Sequence, residues 1–364
     1  MTVVTPHRPT TTELLAWPES ELPRIRHLLS LRKYLTGPLY RAIRTQYEAA
    51  IDRADPPTTT AEAAEVADRL PTVKYWVWLD RHIQDETWRI VERLVEPRIE
   101  QLVDVLTSRE GDLGTLEELP AGAALPAYYV DTDFHRQTRG IWPDERAAAV
   151  YAMGARVIHV GRNDNFEMHD SFADSLPVER PQRILDLACG FGKTTFSLKK
   201  KWPQAEVHGL DLSAPCLRLA RRMATERDLE IHWRQGDTEH APYEDSGFDL
   251  VTVTMALHEM PIDSIYGTLR EAHRLLRPGG TFCALEARLL NDPLRDLLGA
   301  YHSDVIVEPF MNAFRQSDFQ QFASAAGFST EAPHWYGPGT VPGAEDDPTT
   351  WANGWTLLIA RKDA

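Results

Sequence analysis

Apolar positions in the first third of the chain recur at helical spacing. Leu39, Ile43, Tyr47 and Ile51 fall four residues apart, the period of one helix face. Asp55-Pro56-Pro57 and a threonine run interrupt that pattern. Thr59 and Glu62 then stand at capping-box spacing, which predicts a new helix start. The clearest stripe is Trp88, Val91, Val95, Ile99, Leu102 and Leu106, and Pro97 inside it predicts a kink or split near Glu96. Residues 108–126, rich in Gly, Leu, Glu and Pro, read as a loop or domain boundary. Residues 1–125 therefore read as helices only.

The pattern changes at Arg183. Apolar runs at 183–187, 206–210, 231–235, 248–254 and 280–286 predict strands, with helical segments between them. One such helix carries Ile265, Leu269, Ala272 and Leu276 and is expected to stop at Pro278-Gly279-Gly280. Strand and helix alternating at this spacing predict an α/β fold, a parallel sheet with helices on both faces. A last apolar run at 355–360 follows a Pro-, Gly- and Asp-rich loop at 337–349.

Composition narrows the function classes. The 364 residues carry 39 basic and 54 acidic side chains, a formal charge of −15. The first 125 residues hold 15 of the basic and 20 of the acidic groups, so neither half offers a basic footprint. Nucleic acid and anionic membrane surfaces are thus poor partners. No apolar stretch approaches the ~18 residues of a membrane span, and the N-terminus lacks a charged-then-apolar signal pattern. Cys189, Cys216 and Cys283 are scattered with no CxxC, which reads as reduced thiols in a cytoplasmic protein. Histidines such as His208, His232 and His240 have no recognisable metal-ligand spacing, so no metal is expected.

The candidate chemistry begins where the first strand, Ile184-Leu185-Asp186-Leu187, runs through Ala188 and Cys189 into Gly190-Phe191-Gly192-Lys193. Two glycines between strand and helix let backbone approach a ligand closely, although a purely structural turn could use them too. A dinucleotide fingerprint would need a third glycine where Thr195 stands, and the spacing before Lys193 does not make a P-loop. Asp211 ends the second strand, 19 residues after Gly192, where an acid can accept both hydroxyls of a ribose. Asp237 ends the third strand, where a carboxylate could accept an adenine amine. Phe248-Asp249-Leu250-Val251 and Leu276-Arg277-Pro278-Gly279-Gly280 complete the series.

With these pieces in this order, residues 183–289 resemble the class I S-adenosylmethionine (SAM)-dependent methyltransferases, above all the UbiE-like small-molecule group. The resemblance implies a Rossmann-like fold, a seven-stranded sheet with its last strand antiparallel, and SAM as cofactor. It implies Asp186, Ala188, Gly190 and Gly192 at the methionine half of SAM, Asp211 and Leu212 at the ribose and adenine edge, and Asp237 with Thr238 at the adenine. Ala188 stands where many relatives have glycine. Thr254 joins the cofactor set at the end of the fourth strand, and the turn that follows would lie beside the reactive methyl. There His258 and Glu259 are the catalytic candidates, histidine being suited to general-base work near neutrality. Glu259 could instead cap the next helix, and His258 could simply form a wall.

The segment before the first strand crowds Tyr128, Tyr129, Phe134, His135, Gln137 and Trp142 together, followed by Gly161-Arg162-Asn163-Asp164-Asn165. In similar enzymes this segment closes over cofactor and substrate, so Tyr129, His135, Gln137, Asn163 and Asn165 are expected to contact substrate. The expected organisation is a helical lid or dimerisation domain at 1–125, a connecting lid at 126–182 and a SAM-binding domain at 183–364. The function expected is methyl transfer to a small molecule of specialised metabolism; the partner expected is that substrate, with a second copy of the chain as a candidate. Two alternatives share the same motifs: a SAM-consuming cyclase resembling azetidine-2-carboxylate synthases, releasing methylthioadenosine, and a non-catalytic SAM-binding scaffold.

Overall fold

The computed structural model describes residues 9–52, 54–137, 140, 142–158, 165–338 and 343–364. Nine strands form one sheet among them: β1 Leu116–Glu117, β2 Arg183–Leu187, β3 Glu206–Asp211, β4 His232–Gln235, β5 Phe248–Thr254, β6 Leu276–Arg288, β7 Ser329–Thr330, β8 His334–Pro338 and β9 Gly354–Arg361. The order is β1-β4-β3-β2-β5-β6-β9-β7, with β8 also on β9. Strands β1 to β6 pair in parallel, and β9 is antiparallel to β6 and to both β7 and β8.

The expected seven-strand frame is present with two modifications. Strands β7 and β8 lie along the same edge of β9, separated by Glu331-Ala332-Pro333, so they fill one strand position between them. Leu116–Glu117, inside the stretch read as loop in an all-helical region, adds a short strand beside β4. A further difference lies at Leu276. The helix Ile262–Leu275 ends before it, because Leu276 already pairs with Phe248 at the start of β6.

Apolar side chains pack on both faces of the sheet. Ile184, Val207, Trp233 and Leu250 meet the helices Lys193–Lys201 and Ala214–Thr225, through residues such as Phe196, Leu217 and Ala220. Leu185, Val251, Val253 and Phe282 meet Ile265, Leu269 and Ala272 of the Ile262–Leu275 helix on the opposite face. Single residues alternate between the two cores, as a strand period of two requires.

The helical half forms as its pattern predicts. Thr59 and Glu62 make both bonds of a capping box at the start of Thr60–Ala67. The long stripe becomes the helix Pro71–Val95, a tight turn at Glu96–Arg98 and the helix Ile99–Thr107, broken where Pro97 withholds its N–H. These helices do not keep their core to themselves. Tyr40, Ile43, Trp76 and Ile83 pack with Leu294, Leu297 and Leu298 of the helix Pro293–Ile306 and with Trp351. Trp76 and Trp351 meet edge to face at 5.0 Å, and Trp351 donates its ring N–H to the Arg295 carbonyl. The other end of Pro71–Val95 packs Trp88, Val91 and Val95 with Ala149, Val150 and Met153 of Glu145–Ile158. No helix of the described residues is long and apolar enough to cross a membrane.

This shared packing is expected to make the layers unfold together. Leu298→Ala, at a fully buried position between them, should cost about 2–5 kcal/mol and shift a single urea transition. Two separate transitions, one of them unmoved, would contradict the shared core.

Candidate active site

The chain runs outward from β2 to β3 and β4, then returns to place β5 on the other side of β2. The crevice beyond the carboxyl ends of β2 and β5 is thus the topological switch point, where open α/β sheets bind ligands. A cavity opens there, lined by Asp186, Ala188, Gly190, Asp211, Leu212, Thr238, Thr254, His258 and Glu259.

Backbone conformation shapes its floor. Ala188, Gly190 and Gly192 have φ of +51°, +55° and +89°. The left-handed form costs about 1–2 kcal/mol at a residue with a Cβ, so the turn carries strain at Ala188. A Cβ on Gly190 would meet nothing within 4 Å, leaving this glycine as an open cradle. Gly192 is different: its Cβ would stand 2.7 Å from Trp233 and 2.9 Å from Phe196, and it does not line the cavity. Its role is packing.

Three carboxylates are held in distinct ways. Asp186 accepts from Thr195 Oγ1 at 2.6 Å and Thr252 Oγ1 at 2.8 Å, tying β2 to the next helix and to β5. Burial raises its pKa to about 7 against those bonds. Asp211 accepts from the Gly190 N–H at 2.7 Å and the Ser213 N–H at 2.8 Å. Burial raises it to about 6, opposed by the two backbone donors. Asp237 does not reach the cavity wall; its Oδ1 accepts from the Glu239 N–H at 2.9 Å. Thr238 does line the wall and shares a hydrogen bond of 2.7 Å with Thr268. The Thr254 hydroxyl is buried with no hydrogen-bond partner among the described residues.

The turn Leu257–Glu259 after β5 is fixed by a residue that the motifs did not reveal. Glu286, wholly buried near the end of β6, accepts the Ala256 and Leu257 N–H groups on Oε1 at 2.8 and 2.7 Å. Its Oε2 meets His258 Nδ1 at 2.5 Å. Burial pulls the His258 pKa down, but the Glu286 charge and hydrogen bond outweigh it and raise the value to about 9. Glu286 thereby favours the protonated ring near neutral pH, which weighs against the base role expected of His258. Glu259 does not cap the following helix, whose N-cap Pro261 has no side-chain bond.

The aromatic segment lines the same cavity through Tyr128, Tyr129, Phe134, His135 and Trp142. Tyr129 stacks on Trp142 at 4.5 Å. His135, at φ +53°, points Nε2 to within 3.4 Å of Glu259 Oε1 and 3.7 Å of Glu308 Oε1. Gln137 is buried but away from the cavity lining, and Asn165 bonds Glu167 at an exposed helix start. Neither supports the substrate contact expected of it. Asn163 lies outside the described residues.

Other lining groups come from distant chain positions. Arg32 and Gln84 reach in from the helical half, and His302 is held by Asp80 at 2.6 Å. Lys193, just past the glycines, lies over the Tyr151 and Phe191 rings at 5.7 and 5.3 Å, and burial lowers its pKa to about 8. Glu308 is 4% exposed and its Oε2 has no hydrogen-bond partner among the described residues. Its position follows Val307, whose φ of +58° turns the chain at the end of Pro293–Ile306. The wide sequence separation of these groups hid them; Lys193 alone was adjacent to a motif.

The proton on His258 has a defined pH range. Its folded pKa lies above the unfolded value of about 6.5, so the stabilisation by this pair is complete below that pH and is lost as pH rises through about 9. NMR titration of the ring should give a midpoint near 9. In Glu286→Gln the midpoint should fall, since burial is then opposed only by the Glu308 and Glu259 charges. An unchanged midpoint in that variant would remove Glu286 as the cause.

Residues 184–280 match the family model described as a methyltransferase domain. The chain is 33% identical over 143 residues to the demethylmenaquinone methyltransferase of Lactiplantibacillus plantarum, covering 38% of this chain and 59% of that protein. It is 40% identical over 106 residues to the protein of the same name from Thermus thermophilus, covering 29% and 47%. An uncharacterized methyltransferase of Synechocystis, sll0829, is 29% identical over 199 residues, covering 53% and 88%. The chain thus spans about half the length of the first two relatives. The matched residues 184–280 hold the glycine turn and strands β2 to β5, and this part of the chain is a methyltransferase domain of the class I SAM-dependent kind.

Proposed function

We propose that the protein binds SAM in the switch-point cavity and transfers its methyl group to a small molecule. The observation that carries this reading is the Asp211 carboxylate, clamped by the Gly190 and Ser213 N–H groups beside a glycine whose Cα faces open space. A carboxylate so oriented suits the two hydroxyls of a ribose, and the glycine leaves room for close approach. The unpartnered Thr254 hydroxyl offers a further polar contact at the end of β5. Bound SAM would supply an electrophilic methyl group on a sulfonium.

The chain's own residues then act mainly by positioning, the largest contribution in such a transfer. Asp211, Leu212 and Thr238 hold the nucleoside side, and the faces of the aromatic segment exclude water. An aromatic face near a sulfonium adds about 0.5–2 kcal/mol of cation–π stabilisation. His135, Glu259 and Glu308 form the polar end of the same cavity, which suits a polar group of the acceptor. Arg32 and Gln84 bring the helical half into the wall, so the acceptor is enclosed and small.

Two measurements test the reading. Full-length protein incubated with SAM should give S-adenosylhomocysteine only when a metabolite extract supplies an acceptor, as read by mass spectrometry. Methylthioadenosine formed from SAM alone, above spontaneous breakdown, would replace methyl transfer by cyclisation of SAM itself. Asp211→Ala should weaken SAM binding by 1–3 kcal/mol, about 10- to 100-fold by calorimetry. Unchanged affinity would remove Asp211 from the cofactor site.

A further inference from the structure

His135, Glu259 and Glu308 come from three separate elements and converge on one point of the cavity. His135 sits on the short turn Phe134–Arg136, Glu259 on the turn Leu257–Glu259, and Glu308 just after the helix Pro293–Ile306. One ligand atom from each lies within 4.8 Å of the other two. We propose that these three side chains form a binding site for a divalent transition-metal cation.

Geometry supports an ion more than a simple ion-pair triad. Donors about 2.1 Å from a shared ion at tetrahedral angles stand about 3.4 Å apart. The His135–Glu259 and His135–Glu308 separations are 3.4 and 3.7 Å. A direct charge-assisted hydrogen bond would close to about 2.7–2.9 Å, and neither pair has done so. All three ligand atoms lie within 4.8 Å of one another, the spacing of donors around an ion.

Glu308 supplies the independent observation. Its side chain is 4% exposed, it lines the cavity, and its Oε2 has no hydrogen-bond partner among the described residues. A buried carboxylate oxygen left without a donor is costly, and a cation would satisfy it. One imidazole nitrogen and two carboxylates make a mixed N,O set, suited to Zn²⁺, Mn²⁺ or Fe²⁺ more than to Ca²⁺ or Mg²⁺, which prefer all-oxygen shells. Three protein ligands leave a fourth position open toward the cavity, the arrangement of a catalytic site rather than a closed structural one. An oxygen donor placed there would be acidified by the ion.

The site can be tested without knowing any substrate. Full-length protein stripped with a chelator and dialysed is titrated with Zn²⁺ by calorimetry and with Co²⁺ by visible absorption. One ion per chain is expected, with the intense Co²⁺ bands of a four-coordinate site. Glu308→Gln and Glu259→Gln should each weaken binding by about 100-fold or more, since loss of a direct ligand exceeds the effect of an outer-shell partner. Circular dichroism checks that each variant is folded. Should Glu308→Gln fail to fold, Glu259→Gln decides, because Glu259 is 20% exposed and carries no core contact of that kind. Absence of stoichiometric binding to the intact chain would overturn the proposal, as would binding that Glu259→Gln leaves unchanged.

Discussion

A single buried carboxylate organises the working end of this protein. Glu286 has no solvent exposure, and an isolated charge in that position would cost several kcal/mol. It is accommodated because three N–H groups from consecutive residues, Ala256, Leu257 and His258, converge on it. The demand of one charge for donors therefore sets the path of the chain after β5. That path determines where Glu259 stands and puts His258 in the wall with its proton held inward. Replacing the charge by an apolar side chain would leave two backbone donors and an imidazole without partners, a larger loss than any single contact in the cavity.

The helical half is coupled to this end through the helix Pro293–Ile306. Its Leu294, Leu297 and Leu298 complete the core of the N-terminal helices, its His302 is held by Asp80, and its C-terminus delivers Glu308. Displacement of the helical layer would thus be felt at a carboxylate far from it in sequence. The cavity wall and the stability of the layer are maintained by the same packing.

Much of the frame was legible in the sequence because it follows from local pattern. Apolar runs punctuated by glycine and proline located β2 to β6 and β9, and Pro97 located the helix break. Asp211, Gly190, Thr238, Thr254 and His135 line the cavity, as motif order brings them to strand ends or an aromatic cluster. Gly192, Asp237, Gln137 and Asn165 stand off the cavity wall, because Gly192 makes room for Trp233 and Asp237 bonds its own turn. Glu286, Glu308, Arg32 and Gln84 had no signal. Their chemistry depends on which distant elements meet, and a glutamate within Phe282-Cys283-Ala284-Leu285-Glu286 shows its burial only once β6 lies inside the sheet.

The ends of the sheet determine how this molecule can meet others. One side finishes in the two-residue strand β1, the other in the broken pair β7 and β8, with Pro333 before β8 and Pro338 at its end. An incoming strand needs a run of free N–H and C=O groups, and proline breaks such a run. The interior strands, rich in buried Val, Leu and Ile, are thereby sealed from cross-molecule strand addition. Edge-to-edge polymerisation is thereby disfavoured.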